Sequence, residues 1–198
     1  FAPAARAYGK ALERDPALLD AVLKGLNALL EKEPGVGEAR LNRAVVYGMR
    51  QESEPALDDL EAAFRLSPGL APEIIQEAKR LHERGVRELR LITLLSDLLL
   101  TAERHEEAAE VLESGRSGAG AGQLGLLVRL WRARLARGEM ALARKALAEA
   151  EQLAPDRNVL LARVHETVVA QLRREVATMR ERIARGDPEA ADTPRLAG

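Results

Sequence analysis

The sequence predicts an all-α protein, an α-solenoid of antiparallel helix hairpins with about ten helices and a long C-terminal helix. Three observations lead to this prediction. Helix-favouring Ala, Leu, Glu and Arg fill most of the chain, and β-branched residues seldom alternate with polar ones. Pro and Gly recur where helices would end. One spacing of small and large residues returns several times along the chain, which is the mark of a repeat architecture.

Composition excludes several classes of protein. With 46% hydrophobic and 31% charged residues, the 198-residue chain is typical of a folded domain or a repeat array and not of a disordered one. Because there is no cysteine, disulfides, thiolate metal sites and cysteine nucleophiles are excluded. The longest stretch without a charged residue runs from Ser117 to Val128, whereas a membrane helix needs about twenty residues. We therefore predict no membrane span, and we expect no cofactor or metal.

Charge is distributed unevenly. Residues 1–123 carry 16 basic and 21 acidic groups, residues 124–185 carry 13 and 7, and residues 186–198 carry 1 and 3, which gives −5, +6 and −2. The net charge of −1 is far from the strongly basic balance of a nucleic-acid binder. Only five aromatic residues are available to stack on bases. Nucleic acid is therefore disfavoured as a partner.

Four segments share a spacing of small residue, large residue, small residue and helix breaker. They are Ala4-Tyr8-Ala11-Pro16, Ala56-Leu60-Ala63-Pro68, Ala108-Leu112-Gly115-Gly120 and Ala143-Leu147-Ala150-Pro155. Residues three and four apart share one helix face, so two small side chains let a neighbouring helix approach closely while the large one fills the groove between them. Proline then ends the helix because it has no N–H for the hydrogen-bond ladder.

Three of these helices have a helical partner just upstream, at residues 38–48, 91–101 and 126–137. Each pair predicts a helical hairpin. The chain here resembles the tetratricopeptide repeat (TPR) family, whose unit of about 34 residues is a helix, a turn and a second helix. Residues 38–68 match best, with Asn42, Ala44 and Tyr47 as the polar, small and aromatic first-helix residues. The position of Ala44 is taken by Ser96 in the next unit and by Trp131 in the last.

The register is irregular. The motif alanines are 52 residues apart from Ala4 to Ala56 and from Ala56 to Ala108, but 35 apart from Ala108 to Ala143. Each longer interval leaves room for one additional helix, and amphipathic stripes at residues 17–33 and 72–84 supply it. A lone helix exchanges the inner and outer faces of the hairpins that come after it. The first motif lacks an upstream partner, so we predict further repeats before Phe1.

The domain organisation is read from these patterns. Residues 1–157 are the repeat array, residues 158–185 are one long helix, and residues 186–198 are a flexible tail. The long helix carries an apolar stripe made of Val164, Val168, Leu172, Val176, Met179 and Ile183. It either caps the last hairpin or, from Val176 onward, meets a partner or a second copy of the chain through residues 176–185.

No catalytic constellation can be assembled. His165-Glu166 begins like a zinc-protease motif, but Val169 stands where the second histidine ligand belongs. The glycine-rich segment 115–122 has no Lys-Ser or Lys-Thr after it and comes after a helix, which does not suit a phosphate-binding loop. We therefore predict that the protein is not an enzyme, and that this segment is a flexible linker.

The TPR resemblance implies a scaffold that binds a protein or peptide on a concave surface lined by the first helix of each hairpin. The implied partner-binding residues are Leu41, Val45, Met49, Thr93, Asp97, Val128 and Arg132. Some family members hold a terminal carboxylate with Lys and Asn at the places of Leu41 and Val45, so the resemblance predicts no carboxylate clamp here. The alternative is a regulatory or nucleic-acid-binding repeat that uses a basic face of Arg129, Arg132, Arg173 and Arg180.

Overall fold

The computed structural model describes residues 2–116, 120–154 and 156–184, and within those ranges it contains helices and turns but no strand. The described residues form ten α-helices: α1 (Ala2–Arg14), α2 (Leu19–Lys32), α3 (Gly37–Met49), α4 (Ser53–Leu66), α5 (Ala71–Glu83), α6 (Leu89–Thr101), α7 (His105–Gly115), α8 (Gln123–Ala136), α9 (Met140–Leu153) and α10 (Arg157–Ala184). Residues 117–119 of the predicted linker and residues 186–198 of the predicted tail lie outside the described residues.

The three predicted hairpins are present. Helix α3 packs most extensively on α4, α6 on α7, and α8 on α9. The single helices expected between hairpins are α2 and α5. Three clusters of buried side chains run along the array, the central one spanning residues 41–146. Each helix pair thus buries its apolar face against its neighbours, and the all-α solenoid prediction is confirmed.

The small residues of the repeat motif lie where the helices approach most closely. Ala56, Ala63, Ala108 and Ala150 have no exposed surface, and Ala143 has 2%. A side chain added at Gly115 would come within 2.8 Å of Ile92 in α6. Because neighbouring helices occupy the space that a larger side chain needs, these positions require Ala or Gly.

The first motif is not buried as its spacing predicts. Ala4 is exposed and Ala11 is half-buried, whereas Ala5 has no exposed surface. Helix α1 packs on α2 and α3 through a different side, and Nδ2 of Asn42 donates a hydrogen bond of 2.7 Å to the Ala5 carbonyl. The motif of α1 thus predicts the helix correctly and its buried face wrongly.

All three hairpins turn in the same way. Gln51, Glu103 and Gly138 have φ of 61°, 56° and 74°, and each stands five residues before the buried alanine of its second helix. The N–H of the next residue donates to the carbonyl five residues back, at 2.9, 2.8 and 2.9 Å. In each hairpin, a residue with positive φ at the end of the first helix thus reverses the chain. Because this residue stands at a fixed distance from the buried alanine, the turn is part of the repeated unit.

Candidate partner-binding groove

A cleft of about 580 Å³ lies between α4, the short Pro68–Leu70 turn, α6 and α10. We call it the α4–α6 groove. Its apolar lining is Phe64, Pro68, Leu89, Leu94, Leu98 and Ala177. Its polar lining is Glu61, Arg65, Arg90, Thr93, Asp97 and Arg173. An apolar floor with charged groups at the edge suits a protein segment better than a small charged substrate.

Helix α6 forms one wall because it is apolar on more than one face. Leu91, Leu95 and Leu99 are wholly buried against neighbouring helices. Thr93 and Leu94 are only half-buried and line the groove. The opposite wall is the end of α4, which stops at Leu66 because Ser67-Pro68 cannot continue it.

Two charged groups at the edge of the groove, Glu61 and Arg90, are paired with each other. Arg90 donates to Glu61 at 3.0 Å and to Asp58 at 2.8 Å, which joins α6 to α4. The hydrogen bond to Glu61, followed by the one to Asp58, raises the pKa of Arg90 above its ordinary value. Since the Arg90 side chain is 45% exposed, this network orients the edge of the groove more than it stabilises the fold.

Asp97 is held from outside the groove. Its side chain is buried, and Arg129 in α8 grips both carboxylate oxygens, with Nε–Oδ1 at 2.8 Å and a second bond at 3.2 Å. A two-pronged guanidinium–carboxylate pair of this kind has a defined geometry. It connects α6 to the next hairpin and thereby positions the wall that carries Thr93.

The long helix α10 closes the remaining side. Near its start, Leu160 is buried and Val164 packs beside it on Leu127 and Val128 of α8. Further along, α10 leaves α8 and α9, passes over α6 and packs on the Pro68–Leu70 turn. Arg173 and Ala177, one helical turn apart, face the groove. The distal part of α10 therefore lies against its own array.

The predicted binding residues do not form one surface. Leu41 and Val128 are buried in the central and C-terminal clusters, and Val45 and Met49 pack on the N-terminal cluster. Arg132 is half-buried on α8. Only Thr93 and Asp97 lie together in the α4–α6 groove. The first helices of the three hairpins therefore do not all contribute to this groove.

The single helices are the reason. Helix α5 packs on α3, α4 and α6, so it stands between the first helix of one hairpin and that of the next. The expected row is interrupted there, and the second helix α4 lines the groove in its place. The repeat spacing did not predict that Phe64, Arg173 and Ala177 line a groove. The unusual length of α10 was the signal in the sequence that this helix packs beyond the last hairpin.

The alternative basic face is also divided. Arg129 is bound to Asp97, and Arg132 is half-buried. Arg173 and Arg180 are exposed on α10. Of these four side chains, two are thus available at the surface, and phosphate binding gains no support from their arrangement.

In the described ranges, no three His, Cys, Asp or Glu side chains cluster as metal ligands would. None of the described helices combines the length and apolar character needed to cross a bilayer. His82 shares a hydrogen bond of 3.1 Å with Ser114, and burial lowers the pKa of its imidazole. Among the described residues, no carboxylate forms a hydrogen bond with this ring, as the orienting group of a catalytic base would.

A comparison with known proteins relates part of the chain to a tetratricopeptide repeat protein. Tetratricopeptide repeat protein 34 of Mus musculus is 36% identical over 72 residues, which is 36% of this chain. The chain matches only 12% of that protein's length. No protein-family model matches. A solved structure described as the functional characterization of Pseudomonas aeruginosa pilF was also compared. The alignment covers 91% of this chain and 90% of that chain, at 15% sequence identity. Its TM-score of 0.39 is too low to support a conclusion. The predicted TPR resemblance is confirmed over these 72 residues, and the described part of the chain is an all-α helical array.

Proposed function

We propose that this chain is a non-catalytic interaction scaffold whose α4–α6 groove binds an amphipathic helix of a partner protein. The observation that carries the proposal is that a helix, the chain's own α10, already lies along this groove with Arg173 and Ala177 facing it. The TPR relationship supports the scaffold role, because stacked hairpins present extended surfaces for other proteins.

The lining defines the partner's chemistry. Phe64, Leu94 and Leu98 offer an apolar floor to side chains spaced three and four residues apart on a helix. The charged side chains that α4 and α6 contribute are balanced, with Glu61 and Asp97 against Arg65 and Arg90, so the apolar floor determines which helix binds. On α6, the half-buried side chains of Thr93 and Leu94 can contact the partner. Asp97 is held in place by Arg129.

A display library of 18-residue helical peptides, selected on the full chain, tests this proposal. We expect enriched peptides with apolar residues three and four positions apart, as on one face of a helix. Thr93→Arg, which adds bulk and positive charge inside the groove, should weaken their binding at least tenfold. Thr101→Arg, the same change on the same helix but outside the groove, is the matched control and should have little effect.

Two outcomes would contradict the proposal. One is equal binding of the selected peptides to wild type and Thr93→Arg. The other is a preference for nucleic acid, measured as tight binding of a 20-nucleotide single-stranded RNA that weakens steeply with added salt. Apolar groove binding depends far less on salt.

A further inference from the structure

The two halves of α10 are held in different ways. Leu160 in the first half is 7% exposed and packs with α8 and α9, as a capping helix does. In the second half, Val176 is 48% exposed, and Arg173 and Arg180 are also exposed. The first half thus belongs to the last hairpin, and the second half reaches across to α6 and the Pro68–Leu70 turn.

We propose that residues 169–184 of α10 are a built-in competitor that occupies the α4–α6 groove until a partner helix displaces them. This inference rests on the proposed function, since it takes the same groove to be the binding site. It adds a regulatory property: the free protein holds its own site closed.

Incomplete filling of the groove makes the closed state displaceable. With α10 in place, a cleft of about 580 Å³ still remains between α4, α6 and Ala177. Apolar walls without neighbours lose dispersion contacts. A partner helix that carries larger side chains where α10 has Ala177 would recover those contacts, so it can compete with the resident segment.

Tethering holds α10 in place despite this poor fit. Because the segment is part of the same chain, its local concentration at the groove is on the order of millimolar. A weak contact is sufficient to keep the groove occupied.

Hydrogen exchange of the full chain tests the closed state directly. Ala177→Asp places a larger, hydrated side chain against the apolar residues Phe64, Leu94 and Leu98, which weakens the contact of α10 with the groove. We expect amides of residues 167–184 to exchange at least tenfold faster in this variant than in wild type. Ala162→Asp, the same change at an exposed position of the same helix, is the matched control and should leave that exchange unchanged. Equal exchange in wild type and Ala177→Asp would overturn the inference.

A labelled peptide with the sequence of residues 167–184 then tests competition. We expect it to bind full-length Ala177→Asp at least tenfold more tightly than wild type or Ala162→Asp. Adding Thr93→Arg to Ala177→Asp should abolish that gain.

The two proposals fail differently. If the peptide binds wild type and Ala177→Asp equally well, through Thr93, the groove takes a helix but α10 does not guard it, and only the inference is overturned. If the peptide binds neither protein although Ala177→Asp speeds exchange, α10 is a structural cover and not a competing ligand, which overturns the inference; the proposed function is then decided by the library selection and Thr93→Arg.

Discussion

Hairpins α3/α4 and α8/α9 share one repeat spacing but are held together by different chemistry. In the first, Asp59 is 1% exposed and accepts two hydrogen bonds from Arg43, at 2.6 and 2.8 Å, and a third from Arg40. In the second, the matching places hold Ala146 and Leu130, both buried. The same backbone arrangement therefore accepts either an ion pair or an apolar contact at its centre.

The same two hairpins also differ twelve residues before the second-helix alanine. Ala44 is wholly enclosed between helices. Trp131 is half-buried and borders a cavity of about 550 Å³ together with Leu160 and Val164 of α10. The larger side chain thus needs α10 to cover it. This comparison shows that the small residue of the first hairpin is enclosed within the central cluster, whereas the large residue of the last hairpin lies against the helix that comes after it.

The largest effect is expected at Asp59. Asp59→Ala leaves the Arg43 guanidinium without its carboxylate, and we expect a loss of about 2–4 kcal/mol, reduced somewhat because Arg43 is partly exposed. The measurement is urea unfolding followed by circular dichroism.

A double variant makes this a test of the comparison itself. Arg43→Leu with Asp59→Ala gives α3/α4 the residues of α8/α9, and it should recover at least half of the loss. If the double variant loses as much free energy of unfolding as the two single variants together, the apolar pair of α8/α9 cannot replace the ion pair of α3/α4.

The next effect is expected at Trp131. Trp131→Ala removes half-buried aromatic surface between α8 and α10, and we expect a loss of about 2 kcal/mol. Thermal unfolding by circular dichroism measures it, and hydrogen exchange should locate the weakening in α8–α10. Uniform loosening that includes α3 and α4 would contradict the idea that repeats interact only with neighbours.

The turns provide a smaller test. Gly138→Ala forces a side chain into a left-handed conformation and should cost about 1 kcal/mol. Gln51→Gly relieves the same strain in α3/α4 and should stabilise by about 0.5 kcal/mol, because the added flexibility of the unfolded chain offsets part of the gain. Because Trp131 is the single tryptophan, its fluorescence reports the first change and circular dichroism reports both. If both substitutions stabilise the protein, or both destabilise it, the two turns are not equivalent.

The smallest effect concerns a second buried carboxylate. Glu77 is 2% exposed, and burial raises its pKa above the ordinary value despite Arg80 at 3.1 Å. Folded protein therefore binds this proton more tightly than unfolded protein, so the contribution of Glu77 to stability falls as pH rises through that range. Glu77→Gln should raise the unfolding midpoint at pH 7 and change it little below pH about 4. A variant that is less stable at pH 7 would contradict this sign.

Much of the fold could be predicted from local sequence. Proline and glycine positions, together with the spacing of Ala56, Leu60 and Ala63, predicted each hairpin, since helix ends and helix faces depend on residues within a few turns. The burial of Ala4 was predicted wrongly because the motif says which face is small but not which neighbour will cover it.

The candidate site was less predictable. Thr93 and Asp97 lie in the α4–α6 groove as two of the residues that the TPR resemblance singled out, whereas Leu41 and Val128 are buried in the core. Phe64 was not anticipated, because it belongs to a second helix that would face outward in a regular array. Helix α5, inserted between two hairpins, changes which helices are neighbours. The sequence pattern of a single repeat does not determine how an inserted helix packs.

By itself, the sequence determined a cysteine-free, all-helical array of close-packed hairpins with an additional helix between some of them, because helix length, helix face and turn type depend on short-range chemistry. Only the tertiary structure decided that α4 and α6 enclose a groove and that α10 folds back over it. Those arrangements depend on packing between segments about a hundred residues apart, where the shapes of whole surfaces determine which contacts form.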